Sequence, residues 1–255
     1  MRKALLGLAS LVAVGAGTAT SAQAEGVTLS TTLGFESRYL FRGVQFAQAS
    51  FQPGVTLGYN GFYASAWLNL PVGDDAGLFL GGEELDLVVG YSTELTDLIS
   101  VDIGLTLYTF PSLDDGLFDF YEEDGSGLGS NTLEPYIGFS FALPLEPSVY
   151  LYRDFMYDTF TVQGSLSHSF PLSEKVSFDL GGIVGYVIDD DAGGDYLYGH
   201  LSADLSYAFA DNVSVYIGGR WGGSDIAGGS VIKDASLGLT KSNGLGAGIG
   251  LSADF

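Results

Sequence analysis

Between residues 245 and 255 the odd positions are Leu245, Ala247, Ile249, Leu251, Ala253 and Phe255, and the even ones are Gly246, Gly248, Gly250, Ser252 and Asp254. A period of two without a break is a β-strand with one apolar face and one face that is polar or bare. This strand runs into an aromatic carboxyl terminus. Left at the rim of an open sheet, it would present an unpaired backbone edge and an apolar face, and such edges recruit other chains. A sheet that closes its last strand against its first has no edge. The pattern therefore favours a barrel, with the edge strand of a secreted β-sandwich as the other solution.

The amino terminus bears on the compartment. Arg2 and Lys3 precede an apolar run over residues 4–17, interrupted only by Ser10, and small residues follow as far as Ala22-Gln23-Ala24. A charged start, an apolar middle and an A-x-A site are the three parts of a secretory signal peptide, so residues 1–24 are expected to be removed and 25–255 to form one domain. The sequence has no Cys, so disulfides contribute nothing to an exported fold here.

After the signal, no apolar run reaches the length of about 18 residues that a spanning helix needs. The chain is nevertheless rich in Gly (38), Phe (17) and Tyr (15). Short alternating segments separated by acidic turns fit membrane-spanning strands of about ten residues each. The net charge of −22 repels phosphate and excludes nucleic acid as a partner.

Alternation predicts strands over 27–43, 51–59, 62–70, 83–94, 98–109, 132–142, 148–157, 159–170, 175–188, 195–209, 212–221, 231–240 and 244–255. Asn60-Gly61 between two of them is a strong tight-hairpin signal. Single-chain bacterial barrels have even strand numbers, so one run must fail, and the short 231–240 run is the weakest. The expectation is an all-β, closed antiparallel transmembrane β-barrel of about 12 strands, with 14 as the next choice. Short turns near residues 60, 96, 145, 173 and 211 alternate with longer connections over 72–82, 110–131 and 189–194, the asymmetry between periplasmic and extracellular ends. Tyr39, Phe41, Tyr108, Phe110, Phe155, Tyr157, Tyr196 and Tyr198 lie near strand ends, where interfacial aromatic girdles form.

Two stretches carry a resemblance. The alternation ending in Leu251, Ala253 and Phe255 resembles the C-terminal assembly signal of bacterial outer-membrane barrels, which implies the barrel-assembly machinery as a partner and outer-membrane lipid and lipopolysaccharide as surroundings. Residues 34–70 resemble the start of the TorF-type porin family: its aromatic-Arg-Gly step at the end of the first strand is matched by Phe41-Arg42-Gly43, and its G-F-Y-A segment leading to a Trp by residues 61–64 and Trp67. That resemblance implies a porin-like barrel in the bacterial outer membrane and does not fix a solute.

If the polar parity faces the lumen, it carries Glu36, Glu84, Asp86, Asp102, Asp179, Asp204 and Asp234 against Arg38, Arg42 and Arg220. An acidic lining concentrates cations and repels anions. The expected function is passive, weakly cation-selective diffusion of small hydrophilic solutes. The same residues could instead pair, fill a narrow interior and leave a non-conducting structural or surface-binding barrel that works through its long acidic loops. Those loops contain Asp114-Asp115, Glu122-Glu123-Asp124 and Asp189-Asp190-Asp191. Their spacing fits no EF-hand, so no metal site and no cofactor are assigned.

A lipid-modifying barrel enzyme needs a Ser activated by a His. Of the two His residues, His168 is on the apolar parity with Val162, Leu166 and Phe170, and His200 is on the polar parity with Ser202 and Asp204. No G-x-S-x-G elbow is present, and a Ser adjacent to a His along a strand points the other way. The sequence is accordingly read as non-enzymatic. It leaves the oligomeric state open.

Overall fold

A computed structural model describes residues 26–73, 83–111, 116–120, 131–189, 194–225 and 243–255. Twelve strands close into one antiparallel barrel. In chain order the strands are β1 (Val27–Glu36), β2 (Tyr39–Phe41), β3 (Val44–Ala47), β4 (Ser50–Tyr59), β5 (Phe62–Pro71), β6 (Glu84–Thr96) and β7 (Ile99–Thr109). They continue as β8 (Thr132–Phe141), β9 (Ser148–Asp154), β10 (Thr159–Pro171), β11 (Val176–Asp189), β12 (Tyr196–Ala210), β13 (Val213–Ser224) and β14 (Gly244–Asp254). All but β2 and β3 belong to the barrel, and those two form a separate small hairpin.

Closure falls where the terminal alternation places it. β14 pairs with β13 on one side and β1 on the other, with Leu33 opposite Leu251 and Phe35 opposite Ile249. Leu29 and Phe255 exchange both backbone hydrogen bonds, at 3.0 and 2.8 Å. The strand that would have been an exposed edge is paired along both sides.

The period of two then sorts the side chains. Leu33, Leu57, Val89, Ile103, Val184, Leu201, Ile217 and Ile249 all lie exposed on the outer wall. A continuous apolar belt around a closed barrel is unfavourable in water and matches hydrocarbon, so the wall is one that faces lipid. Tyr59, Phe62, Tyr91, Phe170, Phe178, Tyr207, Phe209 and Phe255 ring the end that carries the tight turns, the place of an interfacial girdle. That end also holds the Asn60-Gly61 turn, where φ is +50° and +85°, values that build a type I′ hairpin. It is the periplasmic end by the rule that short turns lie there.

Several expectations need correction. The run 27–43 is not one strand: β1 ends at Glu36, and residues 37–49 turn inward and form the β2–β3 hairpin. Phe41-Arg42-Gly43 is therefore a turn, not a strand end, with φ of +45° at Arg42 and +78° at Gly43. Tyr39, Tyr108, Phe110 and Tyr198 are buried inside the barrel and not in a girdle. The reason is parity and chain direction: Tyr108 and Tyr198 share the inward face with Asp102 and Asp204, and Tyr39 leaves the wall with its hairpin. The 231–240 run lies outside the described residues, and the ring closes at twelve strands among those described.

Many interior glycines have a specific task. Tyr63, Tyr136, Tyr150 and Tyr198 point inward and lie directly over Gly90, Gly104, Gly138 and Gly185 on the neighbouring strand. A Cβ built on Gly138 would stand 2.2 Å from the Tyr150 ring, and the other three positions are as tight. The absent side chain is what lets each ring lie flat along the wall. Gly138→Ala is expected to lift Tyr150 off the wall and weaken its 3.2 Å hydrogen bond to Asp102. Overpacking of this kind costs about 1–3 kcal/mol, which urea unfolding of the refolded barrel in micelles would read.

Candidate functional site

The β2–β3 hairpin decides what the barrel interior can do. β1 keeps pairing with β14 until Ser37, which donates to and accepts from Ala247 at 2.9 and 2.8 Å. The chain then bends across the lumen. Arg38 donates twice to Gln45 Oε1, at 3.1 and 2.7 Å, and Gln45 donates on to the Ala47 carbonyl at 3.1 Å, which ties the two legs together.

The hairpin reaches the far wall. Arg42 forms a bidentate pair with Glu134 of β8, both contacts at 2.7 Å, with the guanidinium held between the rings of Phe41 and Tyr152 at 4.8 and 4.9 Å. Burial alone would lower the Arg42 pKa. The Glu134 carboxylate outweighs it and raises the pKa well above its ordinary value, so the guanidinium is charged where it sits. The tip lodges against β13: the Gly43 carbonyl accepts from Ser224 Oγ at 3.3 Å, and a Cβ at Gly43 would be 2.6 Å from the Gly223 carbonyl oxygen. Only Gly combines that φ with that closeness.

An aromatic cluster seats the base of the hairpin. Tyr39 and Phe46 pack edge to face at 5.7 Å, Tyr39 meets Trp67 of β5 at 5.4 Å, and Phe41 meets Tyr108 of β7 at 5.6 Å. Aromatic pairs at such separations contribute about 0.5–1.5 kcal/mol each beyond burial. The hairpin is thus an integral wedge, held at both tip and base.

Around and below it the wall is lined by polar groups. Arg220 of β13 donates to Asp204 at 2.5 Å and to Glu36 at 3.3 Å. Asp102 accepts from Tyr63 at 2.8 Å and Tyr150 at 3.2 Å, and the Tyr63 and Tyr136 hydroxyls are bonded to each other. Asp179 accepts from Ser169 and Ser177. Asp154 accepts from Thr132 and from two backbone amides.

Of the candidate lining residues, Glu36, Glu84, Asp86, Asp102, Asp179, Asp204 and Arg220 stand on the wall and face inward. Arg38 and Arg42 are on the hairpin instead. Asp234 lies outside the described residues, as do Asp114, Asp115, Glu122, Glu123, Asp124, Asp190 and Asp191. Sequence reading passed over Glu134 and Asp154, although each shares an inward parity with tyrosines, Tyr136 in one case and Tyr150 and Tyr152 in the other. Glu84, Asp86, Glu134, Asp179 and Asp204 are each about 1% exposed, so with the hairpin seated water does not reach these carboxylates. Among the described residues no group of three or more His, Cys, Asp or Glu converges as a metal site.

The histidines do not meet a serine nucleophile. His168 is on the outer wall against Phe170, with ring centroids 4.4 Å apart. Its sequence neighbours bond elsewhere, Ser167 to Glu146 and Ser169 to Asp179. His200 faces the hairpin from β12 beside Gly222.

A closed antiparallel barrel with an apolar outer belt and a polar interior is a transmembrane β-barrel of the outer-membrane type. Residues 19–143 match the model of a family described as "Bacterial protein of unknown function (Gcw_chp)". Among solved structures, the chain is similar to the KdgM porin in complex with disordered oligogalacturonate (TM-score 0.53, 12% identity, covering 89% of this chain and 99% of that one). It is also similar to the NanC porin (TM-score 0.51, 13% identity, 88% and 98%). At these identities the likeness is one of fold. The comparison with curated proteins gave no match.

Proposed function

We propose that this protein is a narrow outer-membrane channel that passes small cations and small neutral hydrophilic solutes by passive diffusion, with the β2–β3 hairpin as its constriction. The observation that carries this is the charge of the interior. Glu36, Glu84, Asp86, Asp102, Glu134, Asp154, Asp179 and Asp204 line it against Arg38, Arg42 and Arg220. Carboxylates in excess lower the energy of a cation in a low-dielectric passage and raise that of an anion. An anionic saccharide, such as the oligogalacturonate named with the KdgM porin, would meet repulsion here, so the proposal does not extend to such solutes. The TorF-type resemblance agrees with a porin-like role. No catalytic step is assigned, and the separation of His168 from its serines supports leaving it out.

The second reading, a non-conducting barrel, draws on the near-complete burial of those carboxylates beneath the seated hairpin. A planar-bilayer recording of the refolded chain under a KCl gradient separates the two. The proposal expects small current steps with a reversal potential of cation-selective sign. Silent but correctly folded protein favours the filled barrel, and an anion-selective reversal potential would contradict the charge argument itself.

A further inference from the structure

We propose that a hard divalent cation binds between the β2–β3 hairpin and the wall of β5 to β7, held by the carboxylates of Glu84 and Asp86 beneath the Tyr39 hydroxyl. Glu84 and Asp86 are two apart on β6, so both point inward, and each is about 1% exposed. None of their four carboxylate oxygens receives a well-formed hydrogen bond, and neither residue is in an ion pair among the described residues. Every other buried carboxylate named above accepts a well-formed hydrogen bond from an arginine, hydroxyl or amide.

An independent group is aimed at the same place. Tyr39 comes from the hairpin and is 2% exposed, and its hydroxyl lies against the Glu84 carboxylate and faces Asp86 without a well-formed hydrogen bond to either. Its ring packs at a tilt against Trp67, which lies directly across from Asp86 on β5, while Tyr108 lies across from Asp86 on β7. Two further buried oxygens close by lack partners, Gln52 Oε1 and Thr106 Oγ1. Gln52 is tied to the spot through its 3.1 Å donation to Asn69, the residue opposite Glu84.

The chemistry selects the ligand. Every candidate donor is an oxygen, from carboxylate, phenol, amide or alcohol, which is the set that Ca²⁺ and Mg²⁺ prefer and softer metals do not. On the hairpin, Arg42 is matched by Glu134 and Arg38 donates to Gln45. Two ionised carboxylates in a dry site are an expensive arrangement unless they are balanced. One divalent ion balances them, and because Tyr39 belongs to the hairpin the ion also fastens the hairpin to the wall. The site is independent of conduction and would serve an open channel or a closed barrel.

The test uses the full folded chain in detergent micelles. Ca²⁺ is expected to raise the unfolding temperature over that in chelator, and the shift should disappear in E84Q/D86N. Tb³⁺ excited through Tyr and Trp should give a saturable emission that Ca²⁺ displaces. Removing both carboxylates should weaken that binding by on the order of tenfold or more, while neutralising the acidic residues at 114–115 and 122–124 should leave it in place. In chelator E84Q/D86N should be no less stable than the wild-type chain, since the substitutions remove unbalanced charge. An unfolding temperature indifferent to Ca²⁺ overturns the proposal and points to a shared proton instead. So does Tb³⁺ emission that depends only on the loop acids. Should E84Q/D86N fail to fold, Y39F removes one oxygen and no charge, and an unaltered Ca²⁺ shift in Y39F would equally reject the site.

Discussion

If the hairpin constricts a conducting channel as proposed, Arg42→Ala is expected to make openings more frequent and to raise conductance several-fold. The substitution removes both 2.7 Å contacts to Glu134 and the guanidinium between Phe41 and Tyr152. Glu134, about 1% exposed, is then left buried with, among the described residues, the Tyr108 hydroxyl donating to it at 3.0 Å. Breaking one side of a buried pair costs about 3–5 kcal/mol, which shifts the ratio of seated to released hairpin by a factor of about 10² to several times 10³. Release swings the tip away from Gly223 and uncovers the carboxylates behind it. Current should therefore rise together with cation preference. Arg42→Ala/Glu134→Gln removes the charge that drives release and should return the recording most of the way to its starting level. Single-channel traces of the three proteins, each first shown to be folded by its heat-modifiable mobility, decide the matter. Traces that cannot be told apart would mean that the hairpin is not the constriction.

The contrast between what was legible in the sequence and what was not has a physical basis. A wall strand is written in the period of two, because one face meets lipid and the other meets the interior. Leu251 and Ile249 declared β14 in this way, and Asp102 and Thr106 declared the inward face of β7. The inner hairpin obeys no such rule. Tyr39 and Phe41 are apolar because they pack inside the lumen, and along the chain they continue the odd-position alternation of β1 as though they faced lipid. What distinguishes them is Gly43, which suits a positive φ, and Phe41-Arg42-Gly43 read as a strand end gave no sign of the turn. The aromatic positions failed for a related reason. A tyrosine over an interior glycine and a tyrosine in a girdle differ only in parity, so Tyr108 and Tyr198 needed to be sorted by face before being sorted by distance from a strand end. Glu36, Glu84, Asp86, Asp102, Asp179 and Asp204 were found by parity while Glu134 and Asp154 were passed over, and which of them have partners depends on strand register, which no local pattern in the sequence records.

Arg220 shows how much rests on those partners. It lies beneath the hairpin with about 5% exposure and serves two carboxylates at once, Asp204 on β12 and Glu36 on β1. Two of the three strands involved, β13 and β1, are the neighbours of β14 at the seam where the barrel closes. Gly218 and Gly248 leave the room the acids need: a Cβ would stand 2.0 Å from the Asp204 carboxylate at the first and 2.2 Å from that of Glu36 at the second. Arg220→Met keeps the volume and strands both acids in a dry site, at a cost of about 3–5 kcal/mol for the broken network. Lys in its place should recover only part of this, because one ammonium lacks the fork that reaches two carboxylates on different strands. The revealing protein is Arg220→Met/Glu36→Gln/Asp204→Asn, which carries no charge at the seam and should regain most of the lost stability in urea unfolding from lipid vesicles. If the triple variant stays as weak as Arg220→Met, the seam depends on the shape of the guanidinium and its packing over Tyr216 at 5.5 Å, and charge balance is not what holds it.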